Sequence, residues 1–226
     1  KADADNSYGA LNSNSITRFN TKLDEIPVSA DIFTEDFLRD VAISTVEELL
    51  AGYGTASGVS SSAPDSDAAS NQPGDRIGNF QLGARGLTAG TVRRDGFVAV
   101  GSLANPGSTA VGQTSTFDTE RVETIRGPQG LLYGASGAGA TVNTVSKQAR
   151  FSQKSGNVMF RVDQYGSKLA QADYNYGLKD IAVRFSIMNQ HQVYRRVLIG
   201  GETQGYYAQF AYRLPRLRTT LRIEGQ

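Results

Sequence analysis

The last third of the chain alternates apolar and polar side chains with a period of two residues. Five such runs follow residue 150, and each is close to the about 10 residues of a tilted transmembrane strand. Tyrosines recur near their ends, as at membrane interfaces. The apolar positions are Val158, Phe160 and Val162; Ala170, Ala172, Tyr174, Tyr176 and Leu178; Ile181, Val183, Phe185 and Ile187; Tyr206, Ala208, Phe210, Tyr212 and Leu214; Thr219, Leu221 and Ile223.

The connections between these runs alternate in length. They are short at residues 179–180 and 214–216 and long between Gln190 and Gln204. If the first strand ascends from the periplasm, the short turns are periplasmic and the long loop is extracellular, as outer-membrane barrels prefer. A single hairpin would fit a soluble sandwich, but five consecutive runs favour the wall of a barrel. Five strands leave an unpaired edge, so we expect a fragment.

The preceding region mixes helical and strand patterns. Residues 1–21 are rich in Asn, Ser, Asp and Ala, which predicts a flexible arm. Thr34 precedes acidic residues and predicts a helix start. Ser44 with Glu47 forms a capping box for a second helix that ends at Gly52. Strands are predicted over residues 26–33, 79–85, 91–100 and 121–126, and a polar loop over residues 55–76.

Composition narrows the classes of function. The 226 residues carry 23 Lys and Arg against 22 Asp and Glu, so no strong field favours nucleic acid. There is no Cys, and no apolar stretch approaches the about 20 residues of a transmembrane helix. Nor does a basic, then apolar, segment open the chain, so we expect that any signal peptide has been removed. A membrane crossing would therefore use strands.

The Gly-rich region before the alternating runs carries a family resemblance. Residues 117–134 resemble the most characteristic signature of TonB-dependent receptors, and residues 135–147 match that family's Gly-rich turn and closing strand. Weaker elements precede them in the same order: residues 82–87 are similar to an Arg-Gly element, and residues 94–98 to an Asp-Gly turn. Residues 23–30 are similar to the entry into the plug. No TonB box is evident in residues 1–21.

The resemblance implies the amino-terminal part of a TonB-dependent outer-membrane transporter. Its fold would be an α+β plug domain over residues 22–147, then antiparallel transmembrane β-barrel strands over residues 151–226, in an incomplete barrel. The implied function is active import of a scarce ligand such as a siderophore, cobalamin or saccharide. The plug would occlude the lumen until the inner-membrane TonB complex engages. The alternatives are a receptor that senses ligand without net import and a soluble β-rich binding module.

The resemblance also assigns roles to residues. Arg85 and Arg126 would reach Glu residues on the inner barrel wall and lock the plug; the alternative is a surface ion pair contributing about 0–1 kcal/mol. The outward plug loops would span residues 55–75, 87–93 and 102–115, with Arg93, Asn105 and Gln113 facing the ligand. The plug's structural motif comprises Gly86, Gly127, Pro128, Gly130, Tyr133, Gly134, Gly137 and Gly139.

Other chemistry finds little support. The glycines follow neither a dinucleotide nor a P-loop pattern. The only histidine, His191, has no catalytic partner in sequence. Asp118, Glu120 and Glu123 lack metal-ligand spacing. We therefore expect no enzymatic activity, no cofactor, no metal and no nucleic-acid partner, leaving lipid, TonB and a small ligand as the expected partners.

Overall fold

The computed structural model describes residues 12–13, 21–22, 29–53, 60–61, 80–81, 90–98, 108–109, 115–126, 140–193, 200–215 and 219–226. The chain divides into two compact units, Lys1–Ser146 and Lys147–Gln226. The elements, in chain order, are β1 (Asn12–Ser13), β2 (Thr21–Lys22), β3 (Ser29–Thr34), α1 (Glu35–Asp40), α2 (Val46–Tyr53), β4 (Ser60–Ser61), β5 (Phe80–Gln81), β6 (Gly90–Arg94), β7 (Phe97–Val98), β8 (Ser108–Thr109), β9 (Thr119–Arg126), β10 (Ala140–Ser146), β11 (Lys154–Val162), β12 (Lys168–Gly177), β13 (Ile181–Val193), β14 (Gly200–Leu214) and β15 (Thr219–Gly225).

The main sheet of the first unit has the strand order β3-β9-β10-β6-β7. Strand β10 runs antiparallel to β9 and parallel to β6, and β3 runs antiparallel to β9. Strands β6 and β7 form a hairpin whose turn residues, Asp95 and Gly96, have φ of 50° and 83°. Two positive φ angles are what a type I′ turn needs, and they follow the hairpin twist. The predicted Asp-Gly turn is confirmed.

The first helix begins where the sequence predicted. Thr34 is its N-cap, and its side-chain hydroxyl accepts a hydrogen bond from the backbone N–H of Phe37 at 3.4 Å. Glu35 and Asp36 occupy the first turn, where a negative charge is favoured by the helix dipole.

The second helix is capped one residue later than predicted. The Thr45 hydroxyl accepts from the backbone N–H of Glu48 at 3.2 Å, and the Glu48 carboxylate accepts from the Ser44 backbone N–H at 3.1 Å. The predicted box of Ser44 and Glu47 is therefore wrong by one position at each end. With the helix starting after Thr45, its apolar side chains are buried. This burial decides which of the two adjacent hydroxyl residues is the N-cap, since both residue types are favoured at that position. Those buried side chains are Val46, Leu49 and Leu50.

The core of the first unit joins both helices to one face of the main sheet. It consists of Leu38, Ile43, Val46, Leu49, Leu50, Val122 and Val142, with Phe33, Phe37 and Val41 packed against it. Two smaller pairings complete this unit. Strands β4, β5 and β8 form a three-stranded sheet, and β1 pairs with β2. Most of the predicted flexible arm lies outside the described residues.

The second unit is an antiparallel sheet in simple sequence order, β11-β12-β13-β14-β15. Its alternation is confirmed in burial as well as in pairing. In β13 the apolar positions Ile181, Val183, Phe185 and Ile187 are exposed, whereas Ala182, Arg184, Ser186 and Met188 are buried. In this central strand the apolar face is therefore exposed and the mostly polar face is buried, and we call the face that carries these buried positions the inner face of the sheet. At the edge of the sheet, all positions of β15 are exposed.

One predicted connection is shorter than expected. Strand β13 continues to Val193 and β14 begins at Gly200, and these two residues pair with each other. The predicted long loop between Gln190 and Gln204 is therefore wrong in its bounds. Polar residues there continue the pairing of β13 with β14. For example, His191 lies opposite Glu202, with 3.4 Å between Nδ1 and Oε1. Among the residues described, neither helix has the length and apolarity to cross a membrane.

Candidate functional site

Arg126 lies at the last position of β9, and its guanidinium forms an ion pair with the carboxylate of Asp31 on the neighbouring strand β3. The side chains are 14% and 30% exposed, so the pair is largely shielded from water. Asp31, the partner of Arg126 in this ion pair, therefore lies in the first unit's own sheet. The role predicted for Arg126 as a lock against a barrel wall stays a prediction.

Arg93 lies in β6 instead of in a loop. Its side chain is 3% exposed and donates from Nη1 to the carbonyl oxygen of Gly96 at 3.2 Å. The predicted loop position is wrong, because parallel pairing with β10 extends β6 through Arg93 and Arg94. Its ligand-facing role stays a prediction. The other predicted site residues lie outside the described residues: Arg85, Asn105, Gln113, Gly86, Gly127, Pro128, Gly130, Tyr133, Gly134, Gly137 and Gly139.

A buried polar row crosses three strands of the first unit's sheet. Arg93, Asn143 and Glu123 are register partners on β6, β10 and β9 and are at most 3% exposed. Asn143 Nδ2 donates to Glu123 Oε2 at 3.4 Å, and the Arg121 guanidinium lies 2.8 Å from Glu123 Oε1. A buried carboxylate is tolerated only where such partners replace water.

Hydrogen bonds join the Asp95-Gly96 turn to β10 and its last residue. The Asp95 carboxylate accepts from the backbone N–H of Ser146 at 2.9 Å and from its hydroxyl at 2.5 Å. The backbone N–H of Gly96 donates to Asn143 Oδ1 at 2.9 Å. Beside the turn, Arg94 Nη2 donates to Asp118 Oδ2 at 2.7 Å. Charge-assisted bonds of this kind are about twice as strong as neutral ones, so the turn and the last strand of the first unit are fixed together.

The second unit begins with residues 147–153, here called the anchor segment, which lies against the inner face of the five-stranded sheet. The sheet's side chains hold it through its backbone. The Tyr207 hydroxyl donates to the carbonyl oxygen of Lys147 at 2.6 Å, and the backbone N–H of Ala149 donates to Gln209 Oε1 at 2.6 Å. Glu224 Oε2 in turn accepts from Gln209 Nε2 at 3.1 Å and lies 3.1 Å from the Tyr207 hydroxyl oxygen.

The Asn175 side chain binds the middle of the anchor segment in both directions. Its Oδ1 accepts from the backbone N–H of Arg150 at 2.9 Å, while its Nδ2 donates to the carbonyl oxygens of Arg150 at 3.1 Å and Gln153 at 2.8 Å. The backbone N–H of Gly177 also donates to Gln153 at 2.8 Å. A side-chain amide used this way replaces a strand partner for a segment that crosses the sheet.

Gly177 allows the anchor segment to come this close. A Cβ at this position would lie 2.0 Å from the carbonyl oxygen of Arg150 and 2.9 Å from that of Gln153, both backbone atoms. Any other residue would therefore have to displace the segment. Glycine inside a strand often marks such an approach.

A charge cluster supports the first residues of the anchor segment. Arg184 donates to both carboxylate oxygens of Asp173, with Nη2 2.7 Å from Oδ2, and donates from Nη1 to the carbonyl oxygen of Gln148 at 3.3 Å. The Ser186 hydroxyl donates to Asp173 Oδ1 at 2.5 Å, and Lys147 Nζ lies 3.6 Å from the same atom. The forked guanidinium suits this bidentate pairing.

Sequence reasoning placed Asp173, Asn175 and Gly177 on the polar face of the second run but assigned them no role, and it did not single out Arg184 or Gln209. Two signals were present. One was the glycine at the last position of β12, and the other was opposite charge at neighbouring positions of the inner face. The described residues hold no group of three metal-ligating side chains.

Comparisons with known proteins agree with this architecture. Residues 22–141 match the family described as the TonB-dependent receptor plug domain. A relative from Escherichia coli (strain K12), named catecholate siderophore receptor Fiu, is 38% identical over 88 residues, which are 37% of this chain and 11% of the relative. The aligned region thus spans about a tenth of that receptor's length.

Solved structures extend the similarity to the second unit. The pyoverdine outer-membrane receptor FpvA from Pseudomonas aeruginosa PAO1 superposes with a TM-score of 0.79 at 21% identity, covering 98% of this chain and 30% of that one. The alcaligin outer-membrane receptor FauA from Bordetella pertussis gives 0.71 at 22% identity, covering 95% and 34%. At such identities the likeness is one of fold.

Proposed function

Because the chain belongs to the TonB-dependent receptor plug domain family, we propose that it takes part in active import of a ferric siderophore through the bacterial outer membrane. The resemblance noted in the sequence is confirmed by the family match. The fold is an α+β plug followed by antiparallel strands of the β-barrel type. The chain is an outer-membrane protein, and the apolar outward face of its five-stranded sheet fits that environment.

The observation that carries the proposal is the order of the two units along the chain. A plug-family segment is followed by a sheet whose central strands, β13 and β14, expose apolar side chains such as Phe185 and Phe210 and bury side chains such as Arg184 and Gln209 on the other face. An inward polar face is typical of a barrel with an aqueous or plugged lumen. The plug would close this lumen until the TonB complex displaces or remodels part of it.

The choice of a siderophore follows from the relatives. The curated relative is named as a catecholate siderophore receptor, and the solved structures as pyoverdine and alcaligin receptors. Cobalamin and saccharides have no comparable support. Within the plug, Arg93, Asn105 and Gln113 stay the proposed ligand contacts, and Arg85 and Arg126 the proposed lock to the barrel wall.

Uptake of radioactive iron tests the proposal. The full-length protein is expressed in a strain that lacks its own siderophore receptors, and a panel of ferric catecholates and hydroxamates is supplied with and without a functional TonB. We expect uptake of at least one ferric siderophore that disappears without TonB. TonB-dependent uptake of cobalamin or a saccharide alone would contradict the substrate class. Binding without uptake would instead support a sensing receptor.

The lock is tested in the same strain by replacing Arg85 and Arg126 together with Ala. If these arginines pin the plug, the double variant should admit large antibiotics that the parent excludes. Arg39→Ala is the matched control, because Arg39 pairs with Asp36 on the surface and is 42% exposed. Equal antibiotic sensitivity of the double variant and the control would remove the assignment.

A further inference from the structure

The anchor segment, residues 147–153, is the first part of the second unit, directly after the last strand of the plug. We propose that it stays bound to the inner face of the barrel strands throughout transport, so that TonB-driven remodelling is confined to residues before Lys147. The proposal rests on the import function proposed above. It assigns to Asn175, Gly177 and Gln209 the role of holding the first residues of the second unit on that unit's own sheet.

Backbone bonding along the segment supports a permanent attachment. Backbone N–H or C=O groups of residues 147–150, 152 and 153 form hydrogen bonds with the sheet. The side chains in these bonds are buried: among them, Asn175 is 2% exposed, Gln209 3% and Tyr207 1%. Releasing the segment would strip partners from several buried polar groups at once, and each such loss is costly. A contact designed to open would more often use exposed, weakly bonded groups.

The charge cluster works in the same direction. Lys147 lies beside Asp173 with both side chains at most 10% exposed, so the segment supplies one cation of a buried cluster. Withdrawing it would remove one of the two cations that neutralise Asp173 and would take the Gln148 carbonyl away from Arg184. Buried charges tolerate the loss of a partner poorly.

Packing completes the attachment. Ala149, 2% exposed, forms a buried cluster with Ala182 and Ala211, which are 0% exposed. Gly177 removes the Cβ that would otherwise collide with the segment's backbone. Small side chains on both sides therefore let the segment lie directly on the strands. Close contact of this kind cannot re-form with the segment shifted by a residue.

Thiol accessibility tests whether the segment leaves the strands. Residues 1–226 contain no cysteine, so Ala149→Cys introduces the single thiol of this region, and labelling of the parent protein is subtracted. Gly201→Cys serves as an exposed control with no atom within 4 Å of its added Cβ. Both full-length variants are treated with a small permeant maleimide in respiring cells supplied with ferric siderophore, and in cells treated with an uncoupler. We expect labelling of Ala149→Cys at least about tenfold slower than Gly201→Cys in both conditions, because a thiol reacts only when reagent reaches it.

Iron uptake measured on the same cells separates the two proposals. Labelling of Ala149→Cys that rises only while iron enters would overturn the anchor and leave import intact. Labelling in uncoupled cells would show that the segment is not attached even at rest, and would also overturn it. Absence of uptake by parent and variants alike would contradict the import function, whereas the labelling of resting cells would still test the attachment.

A second variant checks that the attachment is what protects the thiol. Adding Gly177→Ala to Ala149→Cys should expose the thiol in resting cells, since the new methyl group meets the Arg150 carbonyl. Gly201→Ala added to Ala149→Cys is the matched control and should leave labelling slow. Unchanged protection with Gly177→Ala would mean that the segment is held elsewhere and would overturn the assignment.

Discussion

The two large sheets use the same alternation in opposite ways. In the plug sheet the apolar residues Val122 and Val142 are 0% exposed and pack on the helices. In the barrel sheet the large apolar side chains on one face are exposed, from Ile187 at 37% to Phe160 at 78%, whereas on the other face the central strands β13 and β14 bury side chains such as Arg184 and Gln209. A period of two residues therefore decides which side chains share a face. The medium on each side decides which face is buried.

The buried polar side chains of the two sheets differ in the groups to which they form hydrogen bonds. In the plug sheet, Arg93, Asn143 and Glu123 form hydrogen bonds to neighbours in the same sheet and its turn. In the barrel sheet, Arg184 and Asn175 reach beyond their own strands to the backbone of the anchor segment. Polar residues on the barrel side thus act on another part of the chain. Substitutions on the two faces should reveal this division.

Removing the buried acid of the barrel sheet should have the largest effect. Asp173→Ala removes a carboxylate that Arg184 and Lys147 share, while both of their side chains are 4% exposed. Breaking a buried pair costs about 3–5 kcal/mol. We expect the full-length barrel to unfold at correspondingly lower denaturant, measured by heat-dependent migration in gels and by tyrosine fluorescence.

The matched control for this variant is an exposed pair in the same sheet. Glu202→Ala removes the partner of His191, with side chains 76% and 50% exposed, and should cost about 0–1 kcal/mol. If Asp173→Ala cost no more than Glu202→Ala, the buried cluster around Asp173 would contribute no more to stability than an exposed pair.

A charge on the outer face of the barrel sheet should come next. Phe185 lies near the middle of β13 and is 46% exposed, so Phe185→Arg would place a guanidinium at the depth of lipid and cost about 2–4 kcal/mol. Val162, the last residue of β11, provides the control, because the same change near an interface costs about 0–1 kcal/mol. Equal losses measured in lipid would mean that this face does not meet the bilayer core.

The helix cap of the plug offers a smaller and local effect. Thr45→Ala removes the hydroxyl that accepts from Glu48 and should cost about 1 kcal/mol. Hydrogen exchange of the α2 amides should become faster, while that of β13 stays unchanged. Thr45→Ser keeps the hydroxyl and should retain most of the protection. If Ser44 were the cap instead, Thr45→Ala would leave α2 exchange as it is.

The sequence predicted what depends on neighbouring residues. Alternation located β12 and β13, because it follows from backbone geometry and side-chain type. The Asp-Gly turn was expected from the family resemblance, and the single strand predicted over residues 91–100 is wrong, because this turn divides it into β6 and β7. Sequence reasoning missed contacts that depend on a distant strand. Nothing near Ala149 indicates that Gln209 accepts its N–H, and nothing near Gly177 indicates which backbone approaches it. Such partners are 60 and about 25 residues apart, a distance set by the sheet order.

The turn between β11 and β12 lies outside the spanning strands and should respond to pH. The side chain of Ser167, and after it the backbone N–H groups of Ser167, Tyr165 and Gly166, lower the pKa of Asp163 by favouring its charged form. Because the folded pKa is below the unfolded one, the carboxylate stabilises the turn at pH above about 3.9, and this contribution is lost as the pH falls through the folded pKa.

The Asp163 carboxyl carbon should therefore titrate by NMR with a midpoint below that of an unfolded peptide of the same sequence, and the Ser167 amide shift should follow the same curve. Asp163→Asn can still accept these bonds and should abolish the pH dependence of the amide shift. A titration midpoint at or above that of the unfolded peptide would mean that the turn does not favour the charged form of Asp163.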